Sequence, residues 1–225
     1  ACEVLAKGTE NFDGVGDLVV VDIGGATTDI HSIAEGYPSK TGINLKGLEE
    51  PYAKRTVEGD LGMRYSALAL LEASDEKMFK EFLACSDIEK KCRYRHDNIE
   101  YVPNSDEEKA FDKAMAKIAT KLAMSRHAGY IEIAFTPLGE VFNQYGKDLL
   151  EVKYIIGTGG VIIHSDNPTE ILEAAKFSSL EPTLLKPKSP YLKVDRSYIL
   201  SAMGLLASEL PDCAFKILKK YILEI

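Results

Sequence analysis

Short hydrophobic blocks punctuated by glycine set the pattern of this chain. Asp17 to Asp22 reads Asp-Leu-Val-Val-Val-Asp between Gly16 and Gly24, a β-branched run that predicts a buried strand. Gly24-Gly25-Ala26 follows, and then Thr27 to Ala34, where Ile30 alternates with polar neighbours. The two segments predict a β-hairpin with glycines at its tip. Gly36, Pro38 and Gly42 mark the next turn, and a third strand is expected near Ala53 to Val57. Asp60 can cap a helix running through Leu61, Tyr65, Leu68 and Leu71.

Residues 74–128 differ in character. They are rich in Lys and Glu, and Pro103-Asn104-Ser105 breaks them once. Phe111, Met115, Ile118 and Leu122 then trace one face of a long amphipathic helix. A mostly helical insertion is expected there, with another short helix starting at Pro137. Lys153 to Ile156 predicts a second buried strand, ending in Gly157-Thr158-Gly159-Gly160. Asn167-Pro168-Thr169-Glu170 has the order of cap, first-turn proline and capping-box glutamate, so a helix should follow. Tyr191 to Val194 suits a last strand. Asp195 suits the cap of a helix containing Leu200, Met203, Gly204 and Leu206, and Pro211 the start of the terminal helix. This order predicts an α/β fold: a mixed sheet of three antiparallel strands, then parallel crossover strands, with helices on its faces.

Composition narrows the function classes. The chain has 225 residues, 45% hydrophobic and 28% charged, a balance suited to a globular core. No apolar run approaches the ~20 residues that cross a bilayer, and no signal-peptide pattern is visible, so no membrane role is expected. A net charge of -8 argues against a nucleic-acid partner. The four cysteines have no disulfide-framework spacing, which suits reduced thiols in the cytoplasm. There is no initiator Met, and Ala1 to Ala6 reads as the tail of a helix, so a piece of a longer chain is expected.

Two glycine turns are the candidates for chemistry. In Asp22-Ile23-Gly24-Gly25-Ala26-Thr27-Thr28-Asp29, a strand-end carboxylate can hold a hydrated Mg²⁺. Unshielded glycine amides admit phosphate oxygens, and Thr27 and Thr28 add hydroxyl donors. The bland alternative is an ordinary hairpin whose glycines merely supply positive φ; Asp22 and the threonine pair favour phosphate. Gly157, Gly159 and Gly160 end the second strand, where ligands of open α/β sheets bind, although a simple strand-to-loop turn explains them as well. Ile162 stands where a dinucleotide fingerprint needs glycine, and Gly146-Lys147-Asp148 lacks the rest of a P-loop. A third polar stretch runs from Arg55 to Arg64, with Glu58, Asp60 and Arg64 as a possible cluster, against the plainer reading of a capped helix with solvated ion pairs. Cys85, Cys92 and His96 lack a usual zinc spacing. His127 suits a helix end, and His31 and His164 suit structural hydrogen bonds.

The two turns together resemble the actin-like ATPase superfamily of Hsp70, actin and sugar kinases. Asp22 to Asp29 resembles its second phosphate loop and Ile155 to Gly160 its adenosine loop. Asp195 to Ser208 resembles its second connecting helix. The resemblance implies a ribonuclease-H-like lobe formed by residues 1–73 and 129–225 around the insertion at 74–128. Asp60-Leu61-Gly62 leads into a helix, so the first lobe and its phosphate loop should lie upstream. VDIGGATTDIHS, IGTGGVIIHSDNP and the Arg55–Arg64 run further resemble the MutL/GlmL family, accessory proteins of adenosylcobalamin-dependent glutamate mutase, over nearly the whole chain. That resemblance implies an ATP-dependent reactivating protein with the mutase as partner and ATP/ADP and Mg²⁺ as cofactors. Asp22 would orient Mg²⁺ or the attacking water. Gly24, Gly25, Thr27 and Thr28 would bind β/γ-phosphate, and Gly159 and Gly160 would face ribose and α-phosphate. Ala26 departs from a third glycine common in the superfamily. The whole protein would be an ATPase and this half alone nearly inactive. A small-molecule kinase, or a nucleotide-gated assembly protein of the actin or FtsA type, remain the alternatives on the same fold.

Overall fold

The computed structural model describes residues 1–137 and 139–224, with Asp75 and Glu76 described by their backbone alone. Its main sheet is built from β1 (Leu18–Ile23), β2 (Thr28–Ile33), β4 (Ala53–Glu58), β7 (Tyr154–Thr158) and β8 (Tyr191–Val194). The strand order is β4-β2-β1-β7-β8. β1, β2 and β4 are antiparallel neighbours, whereas β7 and β8 continue parallel to β1. The three-then-crossover order read from the glycine-bounded blocks is therefore present.

Alternation along β1 splits the core into two layers. Val19, Val21 and Ile23 point to one face, where they join Leu70 and Phe79 of α2 (Ala67–Phe82) and Phe111, Met115 and Ile118 of α4 (Asp106–His127). Leu18 and Val20 point to the other face, against Leu5 of α1 (Cys2–Lys7), Leu200 of α7 (Leu200–Glu209), and Phe215 and Leu218 of α8 (Pro211–Leu218). Burial on both sides explains why β1 reads as an unbroken apolar run. Residues 74–128 supply the second half of α2, α3 (Ile88–Asp97) and α4, and their apolar faces merge with the first layer of the core. The stacked rings of Phe79 and Phe111, 5.7 Å apart, join α2 to α4.

Several local expectations need correction. The helix expected from Asp60 starts at Ala67; residues 59–66 form an irregular segment that packs on the hairpin. No helix starts at Pro137. It lies in the turn between β5 (Tyr130–Thr136) and β6 (Gly139–Tyr145), which pair antiparallel. With β3 (Ile43–Lys46) they form a second, three-stranded sheet that hydrophobic periodicity did not announce. Its side chains are mostly exposed, so no apolar stripe of core type exists to be read. The helix after Asn167 is one turn, α6 (Thr169–Leu172), following the equally short α5 (Gly160–Ile163). Asn167 bonds the Glu170 side chain, and not a backbone amide, at 2.7 Å.

Candidate functional site

β1 and β7 run in parallel register, with Asp22 opposite Thr158, so the turns that follow them leave the same edge of the sheet. There the turns touch: a Cβ on Gly159 would lie 2.3 Å from the Ile23 carbonyl oxygen and 2.9 Å from Asp22 Oδ1. A cleft of about 900 Å³ opens beside them, a size that suits a small-molecule ligand. Asp22, Gly24, Gly25 and Arg64 line one side, Gly160 and His164 another, and Val102, Pro103, Lys109 and Lys113 a third.

The first turn is braced from behind. Gly24 N–H donates to the Thr27 carbonyl at 2.8 Å and closes the hairpin. The carbonyls of three successive residues are then taken by the 63–66 segment. Gly24 accepts from Met63 N–H at 3.1 Å, Gly25 from Arg64 N–H at 2.7 Å and Ala26 from the Ser66 hydroxyl at 2.6 Å. In a trans peptide the C=O and the next N–H point opposite ways. The amides of Gly25, Ala26 and Thr27 are therefore turned away from this brace, and none has an acceptor among the described residues. Close packing of the brace requires Gly62, whose Cβ would lie 2.4 Å from the Ala26 carbonyl carbon.

Conformation does not explain the glycines of this hairpin. Neither Gly24 nor Gly25 has positive φ. A Cβ on Gly25 would meet only side-chain atoms of Arg64 and Tyr65, at an ordinary 3.7 Å or more. Gly160 likewise has negative or extended φ, and a Cβ there would meet nothing within 4 Å. Gly157 and Gly159 are different. Gly159 has a φ of +94° and abuts the β1 backbone, while a Cβ on Gly157 would press on Leu172 and Ile162 at 2.8 and 2.9 Å. Of the three glycines of the second turn, Gly160 alone lines the cleft.

Asp22 is half-buried, and no hydrogen bond or ion pair engages its carboxylate among the described residues. Burial first, then the charges of Asp29 and Asp195, push its pKa up, with Arg55 opposing. Asp29, its cross-strand partner, is held by Arg55 at 2.8 Å and by the Thr27 hydroxyl at 3.0 Å. Asp195, at the end of β8, accepts Ile199 and Leu200 N–H at 3.0 Å each. It thereby fixes the turn into α7, although the helix expected directly after Asp195 starts only at Leu200, with Ile199 at its N-cap. An unspent carboxylate fits a hydrated Mg²⁺, which takes few protein ligands. Among the described residues no cluster of three or more His, Cys, Asp or Glu could form a protein-only metal cage. The Thr28 hydroxyl is buried and donates to the Leu61 carbonyl, which leaves it facing the protein.

The polar stretch from Arg55 to Arg64 divides in two. Glu58 and Asp60 turn away and grip Arg126 at the end of α4, at 2.7 Å each. Arg64 turns into the cleft wall and meets Asp112 at 2.8 Å. His127 is buried, bridging Thr56 Oγ1 (2.9 Å) and Ser32 Oγ (2.8 Å). Burial and nearby Lys54 push its pKa down to about 3. Cys92 is buried with its thiol pushed up to about 12, and His96 Nδ1 lies 2.8 Å from the Tyr65 carbonyl. Gly62, Ser66 and Asp112 escaped the sequence reading. The contacts that tie them to the hairpin and to Arg64 span 36 to 48 positions, and no local pattern marks such contacts.

A mixed sheet with two glycine turns and a free carboxylate at one edge defines an α/β protein with a built ligand cleft. The MutL protein family model matches residues 1–222, and the chain belongs to that family. "Protein MutL" of Clostridium tetanomorphum is 57% identical over 227 residues, covering 100% of this chain and 49% of its own length. The chain thus spans about half the length of the curated relative it matches. No helix among the described residues is long and apolar enough to cross a membrane.

Proposed function

We propose that this chain is the nucleotide-binding second lobe of an actin-like ATPase that serves as the ATP-dependent reactivating partner of an adenosylcobalamin-dependent mutase of the glutamate mutase type. One observation carries the nucleotide reading. Gly25 and Gly160 face one cleft, and neither backbone conformation nor protein packing demands glycine at either position. Glycine leaves room there for a ligand to approach the backbone. The amides of Gly25, Ala26 and Thr27 have no acceptor among the described residues, and Gly25 lines the cleft, so donors are left over for phosphate oxygens. Membership of the MutL family supports the mutase as partner. The strand order β4-β2-β1-β7-β8 supports the actin-like lobe. Unpaired cysteines support a cytoplasmic setting.

Bound ATP and Mg²⁺ would supply the phosphoanhydride and the charge that offsets its developing negative oxygens. The protein's part is positioning. Asp22 would hold a hydrated metal through its free oxygens, the hairpin amides would orient the phosphates, and Gly160 would leave room for ribose beside the second turn. Asp195 keeps the start of α7 fixed behind the site. The small-molecule kinase and assembly readings use the same cleft, and family membership favours the accessory role over both.

The test uses the intact protein. Mg–ATP should bind by calorimetry, and phosphate release should accelerate when a mutase holding inactive cobalamin is added. Binding without acceleration would remove the partner and leave the cleft. Phosphate arriving on a small molecule would turn the reading to a kinase. Residues 1–225 alone should bind weakly and turn over almost no ATP.

A further inference from the structure

We propose that Arg64 is a positioning residue that couples the glycine hairpin to the segment joining α3 and α4, so that occupancy of the cleft is felt in those helices. The proposal rests on the nucleotide reading of the cleft. Two ends of the same residue carry the linkage. Its backbone N–H holds the Gly25 carbonyl at 2.7 Å. Its guanidinium holds the Tyr101 carbonyl through Nε (3.1 Å) and Nη2 (2.9 Å), with Nη2 also on Asp112 (2.8 Å) and Nη1 on the Met63 carbonyl (2.7 Å).

The chain of contacts continues inward. The second oxygen of buried Asp112 takes Nε of Arg95 at 2.6 Å. Arg95 is fully buried and also holds Glu108 of α4 at 2.7 Å and the Lys91 carbonyl of α3 at 3.1 Å. The Tyr101 ring lies 5.9 Å from the Arg64 guanidinium and 5.5 Å from that of Arg95. Among the described residues, backbone bonding of the segment is otherwise local: Asn98 to Tyr94, Tyr101 to Asn98 and Lys109 to Ser105. Just beyond Tyr101, Val102 and Pro103 form a wall of the cleft.

The wall and the hairpin are therefore held by one residue, whose guanidinium is pinned by three acceptors while its backbone N–H holds the hairpin. A shift of the Gly25 peptide on ligand binding displaces the Arg64 backbone, and the planar fork passes the displacement to Tyr101 and Asp112. A lysine cannot reproduce this, because a single ammonium lacks a fork that spans two carbonyls and a carboxylate.

Amide hydrogen exchange on the intact protein, with and without saturating Mg–ADP, tests the linkage. In the wild type, nucleotide should slow exchange at 22–27 and also at 98–105 and α3. In Arg64→Lys, saturating nucleotide should still slow 22–27, while the ligand-dependent change at 98–105 falls to a small fraction of its wild-type size. A merely structural arginine would raise exchange at 98–105 in both states and leave the difference between them intact; that result overturns the proposal. The wild type decides by itself if the variant fails to fold, since protection at 22–27 with no change at 98–105 also overturns it. No protection at 22–27 in the wild type would overturn the nucleotide reading, and the coupling with it.

Discussion

The glycines of the two turns at the carboxyl edge of the sheet are of two kinds, Gly157 and Gly159 on one side and Gly25 and Gly160 on the other. In the second turn the fold itself demands glycine. Gly159 takes a left-handed backbone against β1, and Gly157 lies under Leu172 and Ile162. In the hairpin the fold makes no such demand of Gly25, and at the start of α5 it makes none of Gly160. A glycine that the protein does not need for itself is the better marker of a ligand. Sequence spacing alone cannot separate the two kinds, because the discriminating atoms belong to residues distant in the chain.

Substitutions can break this contrast, and the largest effect is expected at Gly159. Gly159→Ala forces a methyl group to within 2.3 Å of a backbone oxygen at a φ of +94°. A loss on the order of 4 kcal/mol is expected, the scale of the severe single-site class. Denaturant unfolding would check it, and a stability near wild type would show that β1 and β7 meet differently. Gly157→Ala should cost about 1–3 kcal/mol through overpacking against Leu172 and Ile162.

His127 gives an effect of similar size that depends on pH. Its folded pKa of about 3 lies below the ordinary 6.5, so the unfolded chain binds more protons between those values. Stability must then rise with pH through that window and fall as pH drops below about 6.5, by about 1.4 kcal/mol per pH unit at most from this group. His127→Gln should lower stability at neutral pH, because Ser32 and Thr56 lose a buried partner, and should flatten the acid limb. An unchanged acid limb would mean that other groups govern it.

Asp22→Asn should barely disturb the fold. The ionised carboxylate is disfavoured by burial and by its acidic neighbours, so removing the charge leaves stability unchanged or slightly higher. Mg²⁺-dependent turnover of the intact protein should nevertheless fall by a large factor. A variant with normal turnover would take Asp22 out of the site.

Much of the fold was legible because β1, β7 and β8 are followed directly by glycine or aspartate and are largely buried or half-buried. The second sheet was not legible. Ile133, Phe135 and Phe142 are largely exposed on it, and exposed strands need no regular apolar alternation. Pro137 fits a helix start and a hairpin turn equally well, and only the pairing of Thr136 with Gly139 decides. At the cleft, Asp22 near the end of β1 and Gly25 and Gly160 just beyond β1 and β7 were legible as candidates from their place at a strand end. The supporting contacts of Gly62, Ser66 and Asp112 were not, since they arise where the 59–66 segment and α4 meet the hairpin.

The most direct measurement pairs stability with affinity in Gly25→Ala and Gly160→Ala of the intact protein. Both variants should unfold within about 0.5 kcal/mol of wild type, since neither methyl group meets the protein at a strained distance. Each should bind Mg–ATP at least about tenfold more weakly, a change of about 1.4 kcal/mol. Wild-type affinity in both would show that nothing approaches the backbone at these two glycines, and the nucleotide cleft would be contradicted.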